Sequence, residues 1–405
     1  MGRNRGLAVA LSYAAFVLTG ASFGAGGVLL PPQMRDYGVG RATIGITFFT
    51  GSAGWVLAGL GTGVLIHRFG IRLVLAGAGG MFVLSGLYLA TRPPFAAFVL
   101  VRLITGLAAG LLESVLNVYV AALPDATAVL NRLHAFFGVG ALIGPVLAAW
   151  ILAGASWPVV WLVLGIACVP VTAGFLAVFP RPQPADPAGP AEPAERGIGL
   201  LNAALRDRGV LLGAVLLAVY VGVEAGVGNW GFSYLVQARS LPGQLAGYSI
   251  SGYWLGLTLG RLLISPAAAR IGASTVGVMY ACMAGVIAAT AAAWVSPAAV
   301  LASVALVLLG FFLGPIFPTM MAITPRLTPA RLVPSAIGVL NAAAVGGGSA
   351  LPWLAGAIAQ DSGIWIILPF TLSLALLQLA IWRPISVRVS LSCSGSPAAT
   401  CATAD

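Results

Sequence analysis

The chain has 405 residues, 60% of them hydrophobic and only 7% charged, where an ordinary soluble domain carries roughly a quarter charged. With a mean hydropathy of +1.01, this excludes a soluble globular protein. The formal net charge of +10 comes from 20 arginines, with no lysine, against 10 acidic residues; the arginines stand singly or in pairs between apolar stretches, so they read as topology signals and not as a nucleic-acid footprint.

Crossing about 30 Å of hydrocarbon takes about 20 apolar residues, and the sequence offers twelve such stretches. The first, 7–30, follows Arg3 and Arg5, and its length makes it a membrane segment in preference to a cleaved leader. The others are 43–66, 73–91, 95–122, 133–154, 157–179, 209–238, 244–266, 273–296, 298–323, 335–359 and 363–382. If successive spans alternate sides, fourteen arginines fall with the N-terminus and four, Arg35, Arg41, Arg92 and Arg239, fall opposite. Cytoplasmic loops carry the positive excess, so both termini are expected in the cytoplasm, with the protein in the plasma membrane.

Span 4 carries its polar residues on one stripe. Arg102, Gly106, Gly110, Glu113 and Asn117 recur at helical spacing, so the stripe faces protein or water. An acid at mid-membrane costs about 2.5–3.5 kcal/mol on insertion scales, and a carboxyl there can bind and release a proton as a cavity opens to either side. Glu113 is therefore a candidate proton carrier. Arg102, about three turns away, either hydrogen-bonds carbonyls of a neighbouring helix or takes part in gating. His134 and Arg132, at the start of span 5, read as terminal polar contacts.

Residues 180–193 hold six prolines and two acids, a composition that makes an extended linker and not a core. The stretch 197–209, with Leu200, Leu201 and Leu205, is expected as a short interfacial helix. The linker separates six spans from six, giving an N-terminal bundle over 1–180, a linker over 181–208, a C-terminal bundle over 209–383 and a tail over 384–405.

Span 7 contains the second mid-membrane acid, Glu224, on one face with Tyr220 and Gly228. Gly222, Gly226 and Gly228 make this helix easy to unwind, as in transporters whose broken helices meet the solute; close packing through small residues is the alternative. Tyr220, Asn229, Trp230 and Tyr253, with Asn117 in span 4, are candidate solute contacts, and Trp230, Tyr253 and Trp254 can stack on a sugar face or a flat ring. Arg261 lies about a turn from the end of span 8, where snorkelling explains it as well as function does. Cys168, Cys282, Cys393 and Cys401 form no CxxC and have no nearby histidine, so no metal or cofactor site is expected.

Glycines recur between the halves at nearly one offset. Gly24 and Gly26 match Gly226 and Gly228, Gly106 and Gly110 match Gly310 and Gly314, and Gly140 and Pro145 match Gly347 and Pro352. A duplicated six-helix unit produces such a pattern. The fold class expected is an all-α membrane protein with twelve transmembrane helices in two pseudo-symmetric six-helix bundles.

Gly63, His67, Arg68, Gly70 and Arg72, between spans 2 and 3, resemble the G-x-x-x-D-R-x-G-R-R loop of the major facilitator superfamily, with His67 in the place of its Asp and Ile71 in that of a basic residue. Arg102 to Gly110 is similar to the family's R-x-x-x-G pattern. Gly140, Gly144 and Pro145 resemble part of a helix 5 pattern common in its exporters. Leu112 to Val118, Leu133 to Pro145 and Tyr220 to Leu235 resemble the fucose-permease-like sugar:proton symporter branch, and this resemblance implies proton coupling at Glu113. A second acid of those symporters corresponds here to Gly27, ahead of Val28, Leu29, Leu30 and Pro31.

The resemblance implies a secondary transporter that moves a sugar or small polar metabolite by proton-coupled alternating access, with Glu113 and Glu224 exchanging protons. Gly63, Arg68, Gly70, Arg72, Arg102, Gly144 and Pro145 would serve gating or structure. A proton-driven exporter of drug-like or amphipathic compounds is the alternative. An intramembrane enzyme is not expected, because neither His67 nor His134 lies at midplane depth to serve a nucleophile as its base. The expected partners are a small-molecule substrate, protons and the lipid bilayer, with no nucleic acid, around a monomer.

Overall fold

The computed structural model describes residues 2–179 and 194–394. The proline-rich linker and the last part of the tail lie outside the described residues. The regular structure among the described residues is helical: α1 (Gly2–Tyr37), α2 (Arg41–Ile44), α3 (Ile46–Ala90), α4 (Phe95–Ala121), α5 (Ala126–Leu152), α6 (Pro158–Val178), α7 (Ala194–Ala204) and α8 (Arg208–Gln237). There follow α9 (Gly243–Arg270), α10 (Thr275–Val295), α11 (Ala299–Leu313), α12 (Ile316–Leu327), α13 (Val333–Ser362) and α14 (Ile367–Ser394). Ten helical stretches among the described residues are long and apolar enough to cross a membrane. One of them, over 41–90, holds two of the predicted spans, and the less apolar α9 is the remaining crossing. That accounts for twelve.

Helix ends follow local chemistry. The Asp207 carboxylate accepts from the backbone N–H of Gly209 at 2.7 Å and of Val210 at 3.1 Å, capping α8. Ser274 caps α10 through the Gly277 N–H at 3.2 Å, and Pro158 opens α6, where a missing N–H costs nothing. The predicted spans 2 and 3 are two helices that meet within α3 at a kink at Gly70, whose φ of 74° and ψ of 157° lie outside the helical region and favour a residue without Cβ. Span 10 is divided into α11 and α12 at Gly314 and Pro315. The short helix expected over 197–209 is α7, with Leu201 and Leu205 exposed. The last crossing runs on to Ser394, so the start of the expected tail is helical.

The unwinding expected for span 7 does not occur. α8 is one unbroken helix, because two of its glycines are filled by neighbours: a methyl group at Gly222 would strike the Leu351 side chain, and one at Gly228 the Trp254 ring. These glycines admit close partners, as small residues do where lipid supplies no hydrophobic drive between helices.

Among the described residues the chain forms two compact units. One comprises everything before the linker together with Pro242–Ser251; the other comprises α7 and α8 up to Leu241 and everything from Gly252 onward. Equivalent helices pair inside each. In the first unit a Cβ at Gly106 of α4 would overlap the Gly51 carbonyl of α3, and one at Gly140 of α5 would overlap the Val17 carbonyl of α1. In the second, Gly310 of α11 stands in the same relation to the Tyr253 carbonyl of α9, and Gly347 of α13 to the Ala218 carbonyl of α8. Two of the repeated glycine pairs, Gly106 with Gly310 and Gly140 with Gly347, thus make the same backbone contact twice.

At the end of the first unit opposite the N-terminus, the Trp157 indole donates to Asp36 at 2.6 Å, Arg92 pairs with Asp36 at 3.7 Å and Tyr37 donates to the Pro93 carbonyl at 2.9 Å. The corresponding end of the second unit is tied by Arg239. Its guanidinium donates to the Tyr234 hydroxyl at 2.8 Å and to the carbonyls of Ala293 and Trp294, placing a cation on the C-terminus of α10.

Because Gly106 and Gly310 have backbone and not flexible side chain against them, Gly106→Val and Gly310→Val should each destabilise the protein by about 1–3 kcal/mol. Thermal denaturation of the purified protein checks this, with Gly26→Ala, which has nothing within 4 Å, expected to melt like the wild type.

Candidate functional site

Among the described residues two acids and two arginines stand out inside the helices: Arg102 and Glu113 on α4, Glu224 on α8 and Arg261 on α9. Their partners decide what each can do.

The α4 stripe faces α3. Gly110 lies against Trp55 and Ala58, and one turn further Glu113 accepts a hydrogen bond from the Trp55 indole N–H at 3.1 Å. A neutral donor orients the carboxyl without supplying a cation, so a proton can come and go without a salt bridge having to break. Asn117, the next residue along the stripe, is half-buried, and its carbonyl oxygen is buried with no hydrogen-bond partner among the described residues. Arg102 turns to another helix. Its guanidinium lies 5.0 Å from the centroid of the Trp161 ring on α6, a cation–π contact, and its Nη1 is buried without a hydrogen-bond partner. Of the two roles open to Arg102 in the sequence, bonding to helix carbonyls is not the one seen at this atom.

In the second unit Glu224 meets Arg261. The guanidinium Nη2 stands 3.5 Å from the carboxylate Oε1, with the arginine side chain 41% exposed and the glutamate 14%. Arg261 also donates from Nε to the Gly314 carbonyl at 3.3 Å, a group left free because the residue four positions on, Pro318, has no N–H to offer it. Tyr253 donates its hydroxyl to the Glu224 backbone carbonyl at 3.0 Å. Tyr220, fully buried, lies one turn before Glu224, with its ring centroid 6.0 Å from that of Phe317. Arg261 therefore points inward to a charge partner and does not snorkel.

The remaining sequence candidates are dispersed. Trp230 is fully buried, its indole N–H donates to the Pro352 carbonyl at 2.8 Å, and its ring fills the space beside Gly356. It packs α8 on α13, which is the packing alternative to solute stacking. Asn229 is half-buried on the same helix. Gly63 and Arg68 are exposed, with the Arg68 guanidinium 5.3 Å from the Phe69 ring centroid, and Gly70 makes the turn they flank. Arg72 begins the next crossing with a buried, unpartnered Nε. Gly144 lies on the Ala21 carbonyl, and Pro145 interrupts the hydrogen bonding of α5. No group of three or more potential metal ligands exists among the described residues.

Comparison with known proteins gives this arrangement its context. The family model of the Major Facilitator Superfamily matches residues 11–252. The chain belongs to this superfamily. It is therefore an integral membrane transporter and not an enzyme. Over 384 residues, 87% of this chain and 77% of the relative, it is 26% identical to Bypass of stop codon protein 6 of Saccharomyces cerevisiae. A 124-residue stretch, 31% of this chain and 25% of the relative, is 32% identical to the 4-hydroxybenzoate transporter PcaK of Pseudomonas aeruginosa. In fold it is similar to the crystal structure of the nucleoside transporter NupG, with a TM-score of 0.76 and 17% identity over 94% of this chain and 99% of that one.

Sequence reasoning missed one member of the site, Trp55, and left Arg261 open between function and snorkelling. Trp55 carries no signal of its own, being one aromatic residue in an apolar span. Arg261 carried a signal, a cation inside span 8, that its nearness to the span's end explained equally well.

If the Glu224–Arg261 contact is an ion pair, Arg261→Met should lower stability by about 1–3 kcal/mol by leaving a charge uncompensated, and Arg261→Met with Glu224→Gln should restore part of the loss. A double-mutant cycle on denaturation midpoints measures the coupling; additive losses would show that the two side chains act independently.

Proposed function

We propose that the chain is a proton-coupled secondary transporter of a small polar organic solute, in which two six-helix bundles, 1–180 and 209–383, joined by the linker 181–208 and followed by the tail 384–405, alternate in exposing a central site. The observation that carries the proposal is the pair of carboxylates inside crossing helices, each held by a side chain of another helix. Such groups are costly in hydrocarbon and mark ion or substrate pathways.

Glu113 and Glu224 exchange protons in this reading. Asn117, with its unpartnered carbonyl oxygen, Tyr220, Tyr253 and Asn229 contact the solute, while Trp230 supports them through packing. Arg102, Gly144 and Pro145 set the helix contacts that move, and Gly63, Arg68, Gly70 and Arg72 form a turn that tethers two helices on the cytoplasmic side. The arginine bias supports cytoplasmic termini in a plasma membrane, and nothing in the proposal requires more than a monomer.

The sugar expectation rests on the resemblance to the fucose-permease-like branch alone. The partial likeness to a 4-hydroxybenzoate transporter favours a small organic acid as the polar metabolite. The Gly140 to Pro145 pattern favours export, so direction is an outcome of the test. Purified protein in liposomes, given an inward proton gradient, should accumulate its solute if it is a symporter; accumulation only in vesicles preloaded with protons would mean antiport, and none under either gradient would refute coupling.

Glu113→Gln should abolish accumulation driven by the pH gradient while solute exchange across the membrane continues. Counterflow of labelled solute, with and without the gradient, checks this; unchanged gradient-driven accumulation would dismiss Glu113 as a proton carrier.

A further inference from the structure

We propose that the end of the second unit where α7 leads into α8 binds an anionic phospholipid, its phosphate held by Arg206, Arg208 and Arg331 and its hydrocarbon laid along exposed apolar side chains of α7 and α8. The proposal goes beyond the transport reading and does not depend on which solute is carried.

Three backbone segments meet there. Asp207 caps α8 through one carboxylate oxygen, and the other accepts from the Thr328 hydroxyl at 3.3 Å. Gly209 is buried against the Leu327 carbonyl so closely that a methyl group on it would overlap that oxygen. α7 packs on α13 and on the short 3₁₀ helix Ala330–Leu332 that precedes it. These contacts fix the start of α8 against the end of α12. They bring Arg206 and Arg208, on either side of Asp207, to the same place as Arg326 and Arg331, which lie within three residues of Leu327 and Thr328. The result is positive charge without its counterpart. Over 199–211 and 325–333 there are four arginines and one acid, Asp207, which the α8 cap and Thr328 already engage. Arg206, Arg208 and Arg331 are exposed, and among the described residues none of the three forms an ion pair. Guanidinium groups take phosphate oxygens in bidentate geometry.

Apolar exposure at the same place decides which phosphate compound fits. Leu201 and Leu205, one turn apart at the end of α7, are 43% and 45% exposed, while Ala204 between them is fully buried. On α8, Leu211 and Val215 are exposed on the helical face that begins with Arg208. A row of apolar side chains thus runs from the arginine into the crossing. Free phosphate or an acidic soluble protein would engage the arginines and leave the leucines in water. A phospholipid, with an anionic head and hydrocarbon tails, satisfies both. The lipid then anchors α7 in the interface as an amphipathic helix, where hydrophobic burial and attraction to anionic headgroups act together.

Titration of the purified full-length protein in detergent with dioleoylphosphatidylglycerol and with dioleoylphosphatidylcholine, read by melting temperature and by native mass spectrometry, tests the site. Phosphatidylglycerol should raise the melting temperature and stay bound; phosphatidylcholine should do neither. One arginine beside an anionic headgroup strengthens binding about fivefold. Arg206→Gln, Arg208→Gln and Arg331→Gln should therefore each weaken binding about that much, and the triple variant about a hundredfold. Leu201→Ser with Leu205→Ser should weaken it as well. Arg270→Gln, which removes an exposed arginine at the end of α9, should leave it unchanged. Should the triple variant not fold, the single variants measured against Arg270→Gln decide the matter. Equal binding of the two lipids, no binding of phosphatidylglycerol, or an equal stabilisation by glycerol 3-phosphate would each overturn the proposal. So would an equal loss in Arg270→Gln, which would mean diffuse charge, or binding of soluble polyglutamate in place of lipid, which would assign the face to an acidic protein. Absence of gradient-driven transport with this lipid selectivity intact would refute the transport reading and leave the lipid site standing.

Discussion

Charge inside hydrocarbon has to be matched, and that constraint orders the rest of the molecule. Each of these two acids and two arginines finds its match on a different helix: Glu113 on Trp55, Arg102 on the Trp161 ring, and Glu224 and Arg261 on one another. Those matches fix which face of α4, α8 and α9 turns inward. Once the faces are set, the backbones close on each other through glycines, because apolar side chains gain nothing by leaving lipid for a neighbouring helix. The cost of burying an ion thus becomes a device for orienting helices.

The internal repeat shows which part of this design is scaffold and which is chemistry. Glycine contacts are copied: Gly106 on Gly51 and Gly310 on Tyr253, Gly140 on Val17 and Gly347 on Ala218. The acids are not. Shifted by the 204-residue offset of its helix, Glu113 falls on Phe317; shifted back by 202, Glu224 falls on the buried Ser22. One unit keeps an acid beside a neutral donor, while the other keeps an acid beside a cation. Phe317 in turn lies against Tyr220, one turn before the second acid.

Much of the fold was legible in the sequence because hydropathy over about 20 residues is a direct reading of bilayer thickness. The α4 stripe was legible too, since five polar or small residues at helical spacing have only one face to occupy. Turn geometry was harder to read. Gly70 separates two helices through a positive φ that the sequence does not specify, and two of the glycines of α8 are contact points in place of weak points, because Leu351 and Trp254 press into them. Pairings across helices were the least legible: Trp55 and Glu113 are 58 residues apart in sequence, and no periodicity links them. For Trp230 the sequence leaves stacking and packing open, and the Pro352 carbonyl that engages its N–H lies 122 residues away.

The central claim is that protons from water reach the two acids within the crossings. Infrared difference spectroscopy of the protein in a lipid bilayer, titrated with pH in H2O and D2O, tests it most directly, with Glu113→Gln and Glu224→Gln identifying each carboxyl band. The account predicts that both bands follow bulk pH and shift on deuterium exchange in the native state. Bands that ignore pH and stay unshifted in D2O would mean acids sealed in dry packing, and would contradict it.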